Sequence, residues 1–146
     1  MVITQDFKEF IESLNGNDVK YLVIDGFAVA FHGHPRYTKD LDIWVNSTNS
    51  NVKKLLKALN DFGFGSLGLT LEDFLNPENV IQLGCPPNRI DLVTEINGVN
   101  FELCYVQKVE TQIDGLKVNF IDLKNLKKNK KATGRAQDLA DLENLK

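Results

Sequence analysis

The sequence predicts an α+β or α/β fold in which helices pack on a sheet. The chain has 146 residues, the commonest size for a single domain, which we expect to span residues 1–146. Its 42% apolar and 25% charged residues are enough to bury a core without disulfide or metal support. The predicted elements run helix, strand, helix, strand, helix, then several strands, then helices, which is the order that indicates this class.

Apolar spacing predicts the elements of the first half. Residues 5–14 carry apolar side chains at i, i+3, i+4 and i+7, the pattern of an amphipathic helix. Leu41, Ile43 and Val45 alternate with polar or aromatic residues, as in a half-buried strand. The predicted elements are a helix over 5–14, a strand over 21–24, a short helix over 27–31, a strand over 41–45 and a helix over 52–62.

Turn signals divide the second half. A capping pattern at Thr70 predicts a short helix, and Asn97-Gly98 and Asp114-Gly115 are hairpin dipeptides between apolar runs. Gly134 separates two helical segments at the end of the sequence. The predicted elements are a helix over 70–75, strands over 80–83, 90–96, 101–106, 109–113 and 116–121, and helices over 123–133 and 137–145.

Composition excludes several function classes. The formal charge of −3 gives no general attraction to nucleic acid or membrane. Sequence-specific DNA binding is disfavoured because the sequence is acidic overall and shows no helix-turn-helix pattern. No apolar run approaches the roughly 20 residues of a membrane span. Cys85 and Cys104 lack metal-site spacing and are expected to be reduced thiols. A cytoplasmic protein without membrane contact is expected.

Asp40 and Asp42 are the first candidates for chemistry. Two positions apart on one strand, their side chains point to the same face. Carboxylates so placed suit Mg²⁺, which takes one or two protein carboxylates and completes its shell with water and phosphate. The alternative is a polar strand face in solvent.

Asp91 lies inside another apolar strand. If that strand neighbours the first, Asp91 completes a three-carboxylate cluster that suits two metal ions in phosphoryl transfer. If it does not, Asp91 faces solvent.

Anion-binding groups flank these acids. The turn Asp25-Gly26 lies between a strand and a helix, where backbone N–H groups favour phosphate and glycine allows close approach. Arg36 is suited to holding phosphate oxygens bidentately. The lysine-rich segment 124–135 is either a cationic patch or a solvated helix face, and the following Asp138 and Asp141 could simply pair with it.

Three segments together resemble the nucleotidyltransferase superfamily. Its pattern is an apolar strand, a Gly-Gly turn, a short helix, H-G, R-x-T and D-L-D-I, then a later strand with a third Asp, then K-x-A-x-G-R-x-x-D-L-x-D-L. The corresponding segments here are VIDGFAVAFHGHPRYTKDLDIWV, NRIDLVTEING and KKATGRAQDLADLENL. The sequence resembles in particular small bacterial one-domain members related to abortive-infection (AbiEii-like) toxins of toxin–antitoxin systems. The resemblance covers residue 21 onward and is least specific between residues 63 and 88.

The resemblance implies an α+β polymerase-β-like fold with a mixed sheet, and roles for individual residues. Asp40 and Asp42 would bind Mg²⁺, with two ions possible, and Asp91 would be the third carboxylate, activating the attacking hydroxyl. The residues that it implies for nucleotide binding are Gly26, Thr38, Lys130 and Arg135, beside Arg36.

Asp25 departs from this pattern because it replaces the first glycine of the turn. An ionised carboxylate about 5 Å from a phosphate charge would repel it by roughly 3 kcal/mol at an effective dielectric near 20. Asp25 is therefore an extra metal ligand, points away from the pocket, or marks a protein with impaired nucleotide handling.

Two functions remain open. The first is Mg²⁺-dependent transfer of a nucleoside monophosphate from an NTP to a hydroxyl on RNA, protein or a small molecule. The second is a catalytically weak or inactive binding module, or antitoxin-like regulator, with the same fold. The small size and Asp25 favour the second, and the three aspartates favour the first.

Overall fold

The computed structural model describes residues 3–33, 39–77, 79–84 and 89–145, without the side chain of Ser66. Arg36, Thr38 and Cys85, singled out from the sequence, lie outside the described residues. In chain order the elements are α1 (Gln5–Gly16), β1 (Tyr21–Ile24), α2 (Asp25–Phe31), β2 (Leu41–Val45), α3 (Asn49–Phe62), a 3₁₀ turn (Gly65–Leu67), α4 (Leu71–Leu75), β3 (Val80–Leu83), β4 (Ile90–Val93), α5 (Phe101–Val106), β5 (Val109–Ile113), β6 (Leu116–Phe120), α6 (Leu123–Thr133) and α7 (Ala136–Asn144).

The sheet has six strands in the order β3-β4-β2-β1-β6-β5. It is mixed: β1 runs antiparallel to β2 and parallel to β6, and β2 runs parallel to β4. The hairpin partners β3/β4 and β5/β6 are antiparallel. The α+β class with a mixed sheet is therefore confirmed, and the central strands are the ones that carry the acidic residues.

Helices α1 and α3 supply much of the core. Phe7, Phe10, Ile11 and Leu14, the four residues whose spacing predicted α1, are all buried. Phe10 meets Phe62 of α3 edge to face, with ring centroids 5.2 Å apart. Thr4 and Thr48 cap the two helices by accepting hydrogen bonds from backbone N–H groups, which fixes where each helix begins.

The strand predicted over residues 101–106 is wrong, because this segment forms α5. The Asn100 side chain accepts a hydrogen bond from the backbone N–H of Leu103 at 3.2 Å and so caps a helix. Phe101 is buried, whereas Leu103 and Val106 are 69% and 74% exposed, a helical rather than an alternating pattern. Asn97-Gly98 consequently precedes a helix, not a hairpin.

The other predicted elements differ mainly at their ends. The strand predicted over 90–96 stops at Val93, and the strand predicted over 116–121 stops at Phe120. The Asp114-Gly115 turn does join two antiparallel strands. Within the described ranges, the helices are too short or too polar for any of them to cross a membrane.

Candidate active site

The pairing of β2 with β4 brings two of the predicted acids together. In this parallel pair Asp42 lies directly beside Asp91. Leu41 and Ile43 on one strand, and Ile90 and Leu92 on the other, are buried. Because side chains alternate along a strand, Asp42 and Asp91 share the opposite face, on strands about 4.8 Å apart. The solvent-facing alternative for Asp91 is wrong, since only 11% of this side chain is exposed.

Arg89 joins Asp40 to Asp91. Its Nε donates to Asp91 Oδ1 at 2.9 Å, and its Nη2 donates to Asp91 Oδ2 at 3.2 Å and to Asp40 Oδ2 at 3.0 Å. One guanidinium therefore holds two of the three predicted metal ligands. We did not predict this role from the sequence, because it depends on Asp40 and Asp91 being neighbours across two strands.

Negative charge accumulates at Asp42. Burial, together with the neighbouring charges of Asp25, Asp91 and Asp40, raises the pKa of this carboxyl to about 7, against a smaller opposing effect of Lys130. Like charges gathered in a partly buried place disfavour ionisation. A divalent cation relieves this repulsion, and carboxylate oxygens are the ligands that Mg²⁺ prefers. Asp40, Asp42 and Asp91 offer oxygen donors of this kind, whereas the carboxylate oxygens that lie within 4.8 Å of one another among the described residues are those of Asp25, Asp138 and Asp141.

We expect Asp42→Asn to stabilise the metal-free protein at pH 8. The folded-state pKa is about 7, whereas an unfolded Asp titrates near about 4. Between these values the folded state binds the extra proton, so stability falls as the pH rises through this window and stays low above it. The difference between the folded and unfolded pKa values of Asp42 would correspond to a change of about 4 kcal/mol in the free energy of unfolding. Solvent screening at this half-buried site reduces the expected change to about 1–2 kcal/mol.

Urea unfolding in a metal chelator, at pH 4.5 and pH 8, measures this effect. The gain in free energy of unfolding should be present at pH 8 and nearly absent at pH 4.5. Asp61→Asn is the matched control, because Asp61 pairs with Lys57 on the surface at 3.2 Å and its pKa is lowered. Equal behaviour of the two variants would contradict the assigned charge cluster.

Asp25 has a left-handed backbone conformation, with φ of +56°. The residue that replaces the expected first glycine is thus the residue that needs positive φ, which Asp tolerates at a cost of about 1 kcal/mol. Its carboxylate accepts a hydrogen bond from Lys130 Nζ and lies 3.9 Å from Arg135 Nη2. The carboxylate of Asp25 therefore faces Lys130 and Arg135, and its charge contributes to raising the pKa of Asp42.

Lys130 is surrounded by carboxylates. Only 1% of its side chain is exposed, and its Nζ lies 3.1 Å from Asp138 Oδ1 and 3.2 Å from Asp141 Oδ2, in addition to its bond with Asp25. Burial opposes the charged form, but the acids outweigh it, so the pKa of Lys130 is raised. The prediction that Asp138 and Asp141 pair with the lysine-rich segment is confirmed at this residue.

The same three carboxylates could also be viewed as a metal site. One oxygen each from Asp25, Asp138 and Asp141 lies within 4.8 Å of the others, a spacing that a metal ion can bridge. The ammonium of Lys130 lies against all three, so it supplies the positive charge there. We therefore assign the Lys130 cluster (Lys130 with Asp25, Asp138 and Asp141) to charge pairing and not to metal binding.

Of the other residues predicted to contact nucleotide, Gly26 is buried and Arg135 already pairs with a carboxylate. Gly26 is buried in the first turn of α2. Arg135 donates from Nε to Asp138 Oδ2 at 2.7 Å and also caps α7, yet its side chain is 67% exposed. The structure brings Lys130 and Arg135 to the end of β1 beside Asp25, and Asp25 is within electrostatic range of Asp42.

Comparison with known proteins gives the fold. No protein-family model matches the sequence, and no curated protein matches it. A lincosamide antibiotic adenylyltransferase, LnuA, solved with lincomycin bound, is similar over 99% of this chain and 96% of its own, with a TM-score of 0.54 and 15% identity. An antigenic nucleotidyltransferase-like protein from Paracoccidioides brasiliensis is similar over 98% of this chain and 77% of its own, with a TM-score of 0.56 and 14% identity. The chain has the nucleotidyltransferase fold.

Proposed function

We propose that the protein is a Mg²⁺-dependent nucleotidyltransferase that moves a nucleoside monophosphate from an NTP to a hydroxyl acceptor. The observation that carries the proposal is the register of β2 and β4, which sets Asp42 beside Asp91 while Arg89 ties Asp40 to the same group. Two carboxylates side by side in the sheet, with a third joined to them through Arg89, are the kind of group that paired metal ions need in phosphoryl transfer. The fold supports the same conclusion.

Each acid has a proposed task. Asp40, Asp42 and Asp91 would hold Mg²⁺. Bound Mg²⁺ stabilises the charge that develops on the transferred phosphoryl group. Asp91, the most buried of the three, would accept the proton of the acceptor hydroxyl through its carboxylate oxygen.

The triphosphate would lie toward the end of β1. Gly26, Arg36, Thr38, Lys130 and Arg135 are the proposed contacts, as the sequence resemblance implies. Arg135 is exposed and bears a planar guanidinium suited to phosphate oxygens. Lys130 would have to exchange its bond with Asp25 for one with phosphate, because three carboxylates already surround it.

The acceptor is proposed to be RNA, a protein or a small molecule. The lincomycin bound to LnuA favours the small molecule, because that protein aligns along nearly its whole length with this chain. Kinship with the abortive-infection toxins, and a bacterial toxin–antitoxin setting, rest on the sequence motifs and remain part of the proposal.

The second candidate is a binding module or antitoxin-like regulator that keeps the fold with little catalysis. The observation that favours it is the carboxylate of Asp25, which stands at the turn where phosphate is expected and already binds Lys130. Both features reduce the positive charge available to a nucleotide.

Calorimetric titration of MgATP, MgCTP, MgGTP and MgUTP into the protein and into Asp25→Gly separates the two candidates. Glycine adopts the left-handed conformation of residue 25 without strain, so the variant should fold. Binding by both proteins, lost in Asp40→Ala/Asp42→Ala, supports the enzyme. Binding only by Asp25→Gly, tighter by about a hundredfold if the full repulsion of about 3 kcal/mol is removed, supports the binding module. Binding by neither would contradict nucleotide use altogether.

Removal of Arg89 should strengthen metal binding. The guanidinium occupies oxygens of Asp40 and Asp91 that a metal ion needs, through three hydrogen bonds. Since the metal ion must displace these charge-assisted bonds, we expect Arg89→Gln to bind Mn²⁺ about tenfold more tightly. Calorimetry with Mn²⁺ measures this, and Lys57→Gln, which removes a surface cation paired with Asp61, is the control. Unchanged affinity in Arg89→Gln would mean that metal binds elsewhere.

A further inference from the structure

We propose that β5 is a self-complementary edge through which two copies of this chain pair, strand to strand, in a symmetric dimer. β5 stands at one end of the sheet, with β6 as its neighbour. Its residues pair one to one with those of β6, without a bulge, and it contains no proline. An edge strand of this kind presents N–H and C=O groups that another strand can bind.

The hairpin turn determines which backbone groups of β5 face outward. The two residues of the Asp114-Gly115 turn have φ of +53° and +83°, the geometry of a two-residue type I′ turn. Ile113 and Leu116, which flank this turn, therefore form a hydrogen-bonded pair. Because such pairs alternate along an antiparallel ladder, Glu110 and Gln112 direct their N–H and C=O groups away from β6. Within the described residues, neither makes a backbone hydrogen bond outside the hairpin.

Charge selects one register for the pairing of two β5 strands. The symmetric antiparallel registers that pair most of β5, with outward residues opposite outward residues, are centred on Glu110, Thr111 or Gln112. The first sets Glu110 opposite the partner's Glu110, and the third sets Glu110 opposite the partner's Asp114. Like charges directly opposite each other are unfavourable. The register centred on Thr111 avoids both conflicts.

In the Thr111 register the opposed side chains are complementary. Glu110 lies opposite the partner's Gln112, whose amide can donate a hydrogen bond to a carboxylate. Val109 lies opposite the partner's Ile113, so apolar side chains meet on the other face. Thr111 meets its own copy at the two-fold axis. The sequence of β5 is thus matched to itself when it runs in the opposite direction.

The residues that flank β5 extend this match. Lys108 lies opposite the partner's Asp114, which gives a pair of opposite charges at each end. Within each copy Lys8 also contacts Asp114, and Lys108 lies 3.7 Å from Glu110. The outward groups of the two strands would form about four backbone hydrogen bonds. So short a contact predicts a weak dimer that forms at high protein concentration.

The charge at position 112 tests the dimer. Gln112→Lys puts a cation opposite the partner's Glu110 and should lower the dissociation constant about tenfold, whereas Gln112→Glu puts like charges there and should raise it about tenfold. Sedimentation velocity of the full chain over a concentration series measures both. Ser50→Lys and Ser50→Glu make the same charge changes on an exposed position of α3 and should leave the constant unchanged. Equal effects at the two positions, or a protein that stays monomeric even at about 1 mM, would overturn the proposal.

A cysteine at the two-fold axis tests the register. Opposed residues that are not hydrogen-bonded have Cα atoms about 4.5 Å apart, which a disulfide can bridge. Thr111→Cys should therefore form a covalent dimer in oxidised glutathione, above the background that Cys85 and Cys104 give in the parent protein. Val109→Cys alone should not, because its two copies lie about 13 Å apart along the strands, but its mixture with Ile113→Cys should. Equal cross-linking of Thr111→Cys and Val109→Cys would overturn the register.

The dimer does not rest on the proposed function. Gln112→Pro removes an outward N–H and leaves the bonds to β6 in place, and an edge strand tolerates such a proline. We expect a folded monomer, checked by circular dichroism and sedimentation, in which the acids of β2 and β4 are unchanged. A dimer that persists in Gln112→Pro would place the contact elsewhere on the molecule and overturn the proposal.

Discussion

Asp91→Asn is expected to lower Mg²⁺-dependent nucleotidyl transfer by at least about a thousandfold, because a general base alone contributes 10²–10⁴. Asparagine preserves the shape of the side chain but neither accepts the proton nor carries the charge. Asp91 is 8% exposed and is aligned by Arg89 through two hydrogen bonds, so no neighbouring solvent replaces it. Release of pyrophosphate, followed with each of the four NTPs, measures the loss.

Two controls show whether the loss of transfer activity is specific to Asp91. Asp61→Asn alters an exposed aspartate of α3 and should leave the rate unchanged. Circular dichroism and urea unfolding should show that Asp91→Asn remains folded. Undiminished transfer by the folded variant would show that Asp91 is not the base, whatever the role of the other two acids.

Lys130→Met is expected to destabilise the protein by about 3–5 kcal/mol, the cost of leaving buried charges uncompensated. Methionine keeps most of the apolar stem but removes the ammonium that contacts Asp25, Asp138 and Asp141. Asp138 and Asp141 are each 1% exposed and cannot turn to water. Urea unfolding at pH 7 measures the loss of free energy.

The neighbouring residue provides a matched control. Lys131 is exposed on the same turn of α6, so Lys131→Met should change stability by less than about 0.5 kcal/mol. If Lys130→Met fails to fold, adding Asp138→Asn and Asp141→Asn removes the uncompensated charge and should restore folding. Equal stability of the two single variants would contradict the assigned pairing.

Alternation along strands made the acidic pair predictable. The two-residue period of β2 and β4 put Asp42 and Asp91 on the faces opposite the apolar residues of each strand, and only their adjacency required the sheet order. The fold class followed from the same patterns. The segment 101–106 was misread because a run of apolar residues has no period of its own, and the cap at Asn100 was the decisive local signal.

Contacts distant along the chain were not predictable in the same way. Arg89 was recognisable only once Asp40 and Asp91 were known to be neighbours. The meeting of Asp25 with Lys130 joins residues 105 positions apart. No local pattern encodes it, because it depends on α6 crossing the end of β1. The sequence therefore predicted Lys130 as a nucleotide contact and did not predict its ion pair with Asp25.

The position of β1 has a consequence for how the protein is synthesised. β1 lies between β2 and β6, and the pairing of Val23 with Phe120 spans most of the chain. Closing so long a loop costs entropy that only the finished contact repays. During synthesis on the ribosome, the edge of β1 that pairs with β6 therefore stays unpaired until β6 has emerged. The acidic residues gain their complete surroundings in that last step, so an unfinished chain exposes carboxylates without the scaffold that directs them.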